Sequence, residues 1–366
     1  MECERHLAPH EGPQTPRKYQ FTAREIAAAL MRVGEGATYR SAARDARRKA
    51  RRFRANPETG EIRETDHGQL VGDWVELFAP VVFAPYAPTA WPDEGTVVLD
   101  HLPFRVRAYR ADGRPIPGGV VAFDVFCAMG YQAGRPRLWR LEGFADAGEP
   151  NWRAFLRSLP GAPPRIVCDN HSGMVRAVRG AWPDADLYFC EWHLRKALDR
   201  LLDKHRKPKA DCEAAMALKA RTEAAFTGKS FFRPFADDAR AAGLPRVTRW
   251  LDEWQPILEA QYDRRGFRST RPVNMPLTTG GLEAISRPIR DALHPRRYGL
   301  KNRERLNRLL MLVQLDANGQ ASERDYAKQI RLWLEANGGR PAATRRAVAD
   351  RRGAPSLRAR RRISAL

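Results

Sequence analysis

Two hydrophobic periodicities divide this chain. From residue 21 to about residue 80, and again beyond residue 199, apolar side chains recur at helical spacing. Between residues 95 and 198 the pattern changes to short apolar runs separated by turns and by single amphipathic segments. In the first stretch Ile26, Ala29, Leu30 and Val33 share one face of a predicted helix. Gly34 and Gly36 end it, and Thr38 can cap the next. Residues 68–78 predict a third helix, with Leu70, Trp74, Leu77 and Phe78 on its apolar side. Residues 81–94 follow Pro80 and contain Pro85, Pro88 and Pro92, and they read as a linker.

The run TVVLD (96–100) predicts a strand that ends on an acid and continues through Phe104 and Val106. Asp112-Gly113 marks a turn. Residues 119–126 and 137–144 predict two further strands, close enough in sequence for antiparallel hairpins. Trp152, Phe155, Leu156 and Leu159 then stand at i, i+3, i+4 and i+7 of a helix. Residues 165–168 (RIVC) form a buried strand ending on Asp169, followed by a helix with Met174, Val175 and Val178 on one face. Pro183-Asp184 breaks that helix before a strand over 185–190 and another helix. The order is β-β-β-α-β-α-β-α. It predicts an α/β fold with a mixed sheet and helices on both faces, the order of a ribonuclease-H-like domain. From residue 199 to residue 275 strand signals vanish. Val247, Trp250, Leu251, Trp254 and Leu258 form a core stripe within an all-helical insertion. The expected division is a leader (1–20), a helical DNA-binding region (21–80), the linker (81–94), a catalytic core in two parts (95–198 and 276–337) around the insertion (199–275), and a tail (338–366).

Charge narrows the function. The 366 residues carry a formal net charge of +21, an excess that favours a polyanion, nucleic acid first. A membrane partner is not expected, because no apolar run approaches the ~18–20 residues of a spanning helix. Five scattered cysteines make no disulfide framework, and no signal sequence opens the chain. A reducing cytoplasm, in association with a bacterial nucleoid, is the expected location. The predicted second helix carries Arg40, Arg44, Arg47, Arg48 and Arg51 with only Asp45 opposing. Two short helices about a glycine turn, the second strongly basic, match a helix-turn-helix reading DNA as well as they match a solvated basic helix. The tail has nine arginines against Asp350 alone, a density that reads as a nucleic-acid-binding extension.

Asp100 and Asp169 both end strands that the proposed sheet order sets side by side. Two neighbouring carboxylates repel unless a cation lies between them, and a hard divalent ion takes such oxygen ligands. Strand-end capping is the alternative for each. Asp124, within the second strand, is the rival to Asp100. Cys190 and His193 have the spacing of half a zinc site, but no second half accompanies them, and Cys3, His6 and His10 fall short of four ligands. Glu149 is expected to serve a helix N-terminus, and His171 is an incidental loop residue.

These residues carry a resemblance. The block IVCDNHSGMVRAVRGAWPDADLYFCEWHLRKAL resembles the central part of Mutator-like transposases and their bacterial insertion-sequence relatives. VVLDHLPFRVR is similar to the family's first-aspartate strand, and TTGGLEAISRPIRDAL to its segment bearing the glutamate. The resemblance implies a DDE transposase in which Asp100, Asp169 and Glu283 bind two Mg²⁺ (or Mn²⁺) ions for two-metal phosphoryl transfer. Water and then a DNA 3′-hydroxyl attack phosphodiesters, with His193 in the catalytic region. It implies element ends and target DNA as partners, and a homodimer or higher oligomer on DNA. Gly280 and Gly281 depart from the family's Asn and small residue. Pro288 is expected to kink or break the helix one turn after Glu283. Asp291 and Glu304 are the reserve acids. The rival functions are an inactive transposase-derived DNA-binding protein, a nuclease of the same fold and a structural nucleoid protein.

Overall fold

The computed structural model describes residues 21–50, 68–91, 95–109, 114–132, 135–205, 209–265, 280–294 and 302–337. Helices α1 (Ala23–Gly34), α2 (Tyr39–Ala50) and α3 (Gly68–Phe83) precede strands β1 (Thr96–Tyr109), β2 (Pro115–Gln132) and β3 (Arg135–Phe144). Then α4 (Glu149–Arg157), β4 (Arg165–Cys168), α5 (Ser172–Ala181), β5 (Asp186–Phe189) and α6 (Glu191–His205) alternate. Helices α7 (Lys209–Ala225), α8 (Lys229–Ala241), α9 (Pro245–Arg265), α10 (Gly280–Leu293), α11 (Arg303–Ala317) and α12 (Glu323–Ala336) follow. The chain divides into two compact units, residues 88–290 and residues 1–87 with 291–366.

The first of these units is built on a five-stranded mixed sheet in the order β3-β2-β1-β4-β5. β1, β2 and β3 pair antiparallel, whereas β4 joins β1 and β5 joins β4 in parallel. The parallel pairings need crossovers, which α4 and α5 supply. Their apolar faces meet that of the sheet in a core containing Val97, Leu99, Phe126, Ile166, Trp152, Phe155, Met174 and Val178. The Phe126 and Trp152 rings stack there with centroids 3.9 Å apart. The helical insertion makes a second core, in which Leu194, Leu198 and Leu202 of α6 meet Phe232, Phe235, Val247 and Leu251. Phe189 and Trp254 belong to this core too. α9 also closes the open edge of β5. The Phe189 N–H donates to Gln261 Oε1 at 2.8 Å, and Gln261 Nε2 donates to the Phe189 carbonyl at 3.0 Å.

In the other unit α1, α3, α11 and α12 pack together. Thr22 and Glu25 form a capping box at α1, and Ser322 and Asp325 form another at α12. At Gly34 an added Cβ would lie 2.9 Å from the Leu312 carbonyl oxygen, so α1 and α11 approach closely only because that residue is glycine. The expected division placed residues 276–337 with the catalytic core, while α11 and α12 pack on α1 and α3.

Neither Pro80 nor Pro288 ends its helix, so the linker start at residue 81 and a break at Pro288 are corrected. α3 runs through Pro80 to Phe83 into residues assigned to the linker, and α10 runs through Pro288 to Leu293. An interior proline costs ~3 kcal/mol. Side chains buried beyond each proline offset that cost at ~1.5–3 kcal/mol apiece: Val82 and Phe83 after Pro80, and Ile289 and Leu293 after Pro288. The leader, the tail and the end of the basic stretch beyond Ala50 lie outside the described residues.

Gln261 is 1% exposed and satisfies both backbone groups of Phe189. Gln261→Leu leaves that N–H and C=O unpaired in the interior. The expected loss is about 1–3 kcal/mol of unfolding free energy, measured by denaturant titration.

Candidate metal centre

Register sets the site. β1 and β4 pair in parallel up to Leu99 opposite Cys168, so Asp100 and Asp169 are the next residue on each strand. Asp169 follows the last residue of β4, where open α/β sheets place ligands, and Asp100 lies within β1 just past its parallel pairing with β4. The third member arrives by helix. The Cys190 N–H donates to the Cys168 carbonyl at 2.7 Å and the Leu194 N–H to the Cys190 carbonyl at 3.1 Å, so α6 starts where β5 stops. Leu194, Leu198 and Leu202 anchor α6 in the core, and His193 lies in its first turn. Asp100, Asp169 and His193 each offer one ligand atom within 4.8 Å of the others. Asp100 is 9% exposed, and the other two are half-buried.

One oxygen of each carboxylate is fixed by a nearby backbone N–H. Asp100 Oδ1 accepts from the His101 N–H at 2.8 Å, and Asp169 Oδ1 accepts from the His171 N–H. The two hard oxygens suit Mg²⁺ or Mn²⁺, and the imidazole nitrogen suits a divalent transition ion rather than Mg²⁺. Ligands ~2.1 Å from a common ion lie at most ~4.2 Å apart, so the donors need close only slightly on a cation. The donor set therefore fits a divalent ion.

Glu283 falls in α10, with its side chain outside the described set. Asp291 is exposed near the end of α10, and Glu304, in the first turn of α11, pairs with Arg308 at 3.0 Å. Cys190 is fully buried and is not among the grouped ligand atoms, so the expected pair contributes only its histidine to the group. Arg40 and Arg44 are exposed on α2. Arg47 and Arg48 continue that helix with side chains outside the described set, and Arg51 lies beyond it. Glu149 does serve a helix start, where it binds Arg153 and Arg176, each at 2.7 Å.

A second polar group borders the first. His101 packs edge-on against Phe126 and Trp152, and its ring centroid lies 5.2 Å from that of His171. His101 Nε2 is 3.9 Å from Asp124 Oδ1, an ion-pair distance rather than a hydrogen bond. Burial lowers the His101 pKa against the opposing pull of Asp124 and raises that of Asp124 against the pull of His101. The buried Nδ1 atoms of both histidines have no hydrogen-bond partner among the described residues. Strand alternation separates His101 from Asp100, and register sets Asp124 opposite Pro103. Asp124 thus meets His101 rather than replacing Asp100. Period-two alternation signals the His101–Asp124 pair in the sequence. Nothing local signals the approach of His171.

The family model described as "Transposase, Mutator family" matches residues 119–323, more than half of the chain. The chain belongs to the Mutator family of transposases. The match takes in Asp169, His193 and Glu283 and begins after β1, which carries Asp100. No curated protein matches the chain. Among solved structures, the "Drosophila P element transposase strand transfer complex" is similar at 12% identity with a TM-score of 0.32, covering 89% of this chain and 83% of that one. That likeness is too slight to carry an argument. No helix among the described residues is long and apolar enough to cross a membrane.

Replacing one carboxylate by its isosteric amide removes a charged ligand and little else. Asp169→Asn is expected to weaken Mn²⁺ binding by more than the roughly 10–100-fold that loss of an outer-shell partner costs. Cys190→Ser is expected to leave it within about threefold, well inside that outer-shell range. Isothermal titration of both variants checks this.

Proposed function

We propose that this protein is a ribonuclease-H-like DDE transposase that cleaves the ends of a DNA element and joins them to target DNA. The observation that carries this reading is the meeting of Asp100 on β1, Asp169 just after β4 and His193 at the start of α6. Family membership supports it. The strand order β3-β2-β1-β4-β5, with only the last two joins parallel, supports the ribonuclease-H-like assignment.

In this reading Asp100 and Asp169 hold a Mg²⁺ or Mn²⁺ ion, His193 adds a neutral nitrogen donor, and Glu283 completes the acid set. When bound, divalent ions supply charge neutralisation at a phosphoryl centre and polarise the attacking oxygen. Phosphoryl transfer asks the protein chiefly for positioning. The strand ends give that positioning: each carboxylate is held by the backbone N–H of a residue one or two places on. Cleavage is attack of water on a phosphodiester at the element end, which leaves a 3′-hydroxyl. Strand transfer is attack of that hydroxyl on a target phosphodiester, displacing a target 3′-oxygen. The two reactions share one geometry with different nucleophiles.

The net charge of +21 supports DNA as the partner. The helices α1 and α2, with Arg40 and Arg44 exposed on the second, are assigned to end recognition as a helix-turn-helix. Joining two ends to one target calls for a dimer or larger assembly on DNA.

Wild-type protein, duplexes carrying the element ends, a target plasmid and Mg²⁺ are expected to give cleaved ends and joined products. Asp169→Asn is expected to abolish both, by at least about 10³-fold, because the interactions it removes act in the transition state. Pre-cut ends bypass the first reaction. If wild type cleaves but never joins pre-cut ends, the protein is a nuclease. If Asp169→Asn cleaves as wild type does, the assigned centre is wrong.

A further inference from the structure

The β1–β2 hairpin is longer than the sheet that contains it. β3 pairs with β2 only over Asp124–Gln132, and β4 pairs with β1 only over Thr96–Leu99. β1 and β2 nonetheless stay paired out to Tyr109 opposite Pro115. The far half of the hairpin, residues 103–109 with 115–123, is therefore a two-stranded ribbon with no flanking strand among the described residues.

Its two faces differ. Leu102, Phe104, Val106 and Phe123 are buried on one, where the Phe104 and Phe123 rings stack at 5.1 Å. On the other, Pro103, Arg105 and Ala122 are exposed, and Val120 is 58% exposed. Arg105 stands opposite Ala122, and Arg107 stands opposite Val120. The segment from Phe104 to Arg114 holds Arg105, Arg107, Arg110 and Arg114 against the single acid Asp112. A cationic ribbon with no flanking strand and one exposed face, its arginines opposite Ala122 and Val120, has the width and charge to lie against a duplex, whose major groove admits a two-stranded ribbon.

We propose that the distal half of the β1–β2 hairpin is an arm that binds the phosphate backbone of duplex DNA beside the metal centre. The inference rests on the reading that the protein acts on DNA, and it names the surface that holds the substrate. Five residues of strand separate Asp100 from Arg105, ~17 Å at strand rise. At ~3.4 Å per nucleotide, the arm contacts the backbone about five base pairs from the phosphodiester at the carboxylates. Pairing of two such arms from separate copies is disfavoured by their like charge.

The test is binding of the full-length chain to a duplex in EDTA, followed by fluorescence anisotropy over a series of salt concentrations. Arg105→Glu is expected to weaken binding about tenfold and to flatten the slope of log affinity against log salt by about one phosphate contact. Val120→Lys places a new cation on the same exposed face and is expected to strengthen binding and steepen that slope by a similar amount. A misfolded variant cannot produce this gain. If both variants bind as wild type does, the arm is not a DNA surface and the transposase reading stands. If the wild-type chain binds no duplex, the underlying reading fails and the arm assignment fails with it. If Arg105→Glu alters the sedimentation mass of the free protein and leaves DNA affinity unchanged, the ribbon joins copies of the chain and the proposal is overturned.

Discussion

The structure turns on a repulsion. Parallel pairing of β1 with β4 brings Asp100 and Asp169 to the same end of the sheet, one residue beyond the last paired positions. Two carboxylates that close repel each other, and a partly buried site screens that repulsion poorly. A sheet selected for stability alone would place a neutral residue at one of the two positions. Keeping both acids makes sense where a divalent cation replaces the repulsion with two attractions. His193 adds a nitrogen donor to the same group.

The surrounding elements hold this arrangement. Gln261 satisfies the outer edge of β5, and β5 leads within two residues to the start of α6. Three leucines of α6 are buried in the insertion core, so the helical insertion fixes the direction from which His193 approaches. On the opposite face, the stack of Phe126 on Trp152 packs α4 against the sheet next to His101. Insertion and sheet therefore cooperate in one site, although they are separate cores.

Much of this was legible in the sequence, because the signals were local. Apolar runs that end in acids mark Asp100 within β1 and Asp169 just after β4. The β-β-β-α-β-α-β-α order gives the sheet its neighbours, and the Val247–Leu258 spacing shows a helix face. Strand lengths were less legible. β2 runs from Pro115 to Gln132, well beyond the expected 119–126, because a hairpin is held by its own cross-strand ladder past the apolar run. The helices continue through the prolines at 80 and 288 because tertiary burial offsets a local penalty that sequence shows in isolation. The proximity of His171 to His101 depends on how two loops return to the sheet, and no spacing encodes that. Glu283 is legible only through family resemblance.

The most direct test of the central claim is to locate the ion. Crystals of the protein grown with Mn²⁺ and measured near the manganese absorption edge report its position without reference to activity. The account predicts an anomalous peak within ~2.0–2.4 Å of a carboxylate oxygen of Asp100 and of Asp169, with the His193 imidazole turned toward it. Full occupancy of manganese elsewhere in the chain, with these two carboxylates bare, would contradict it.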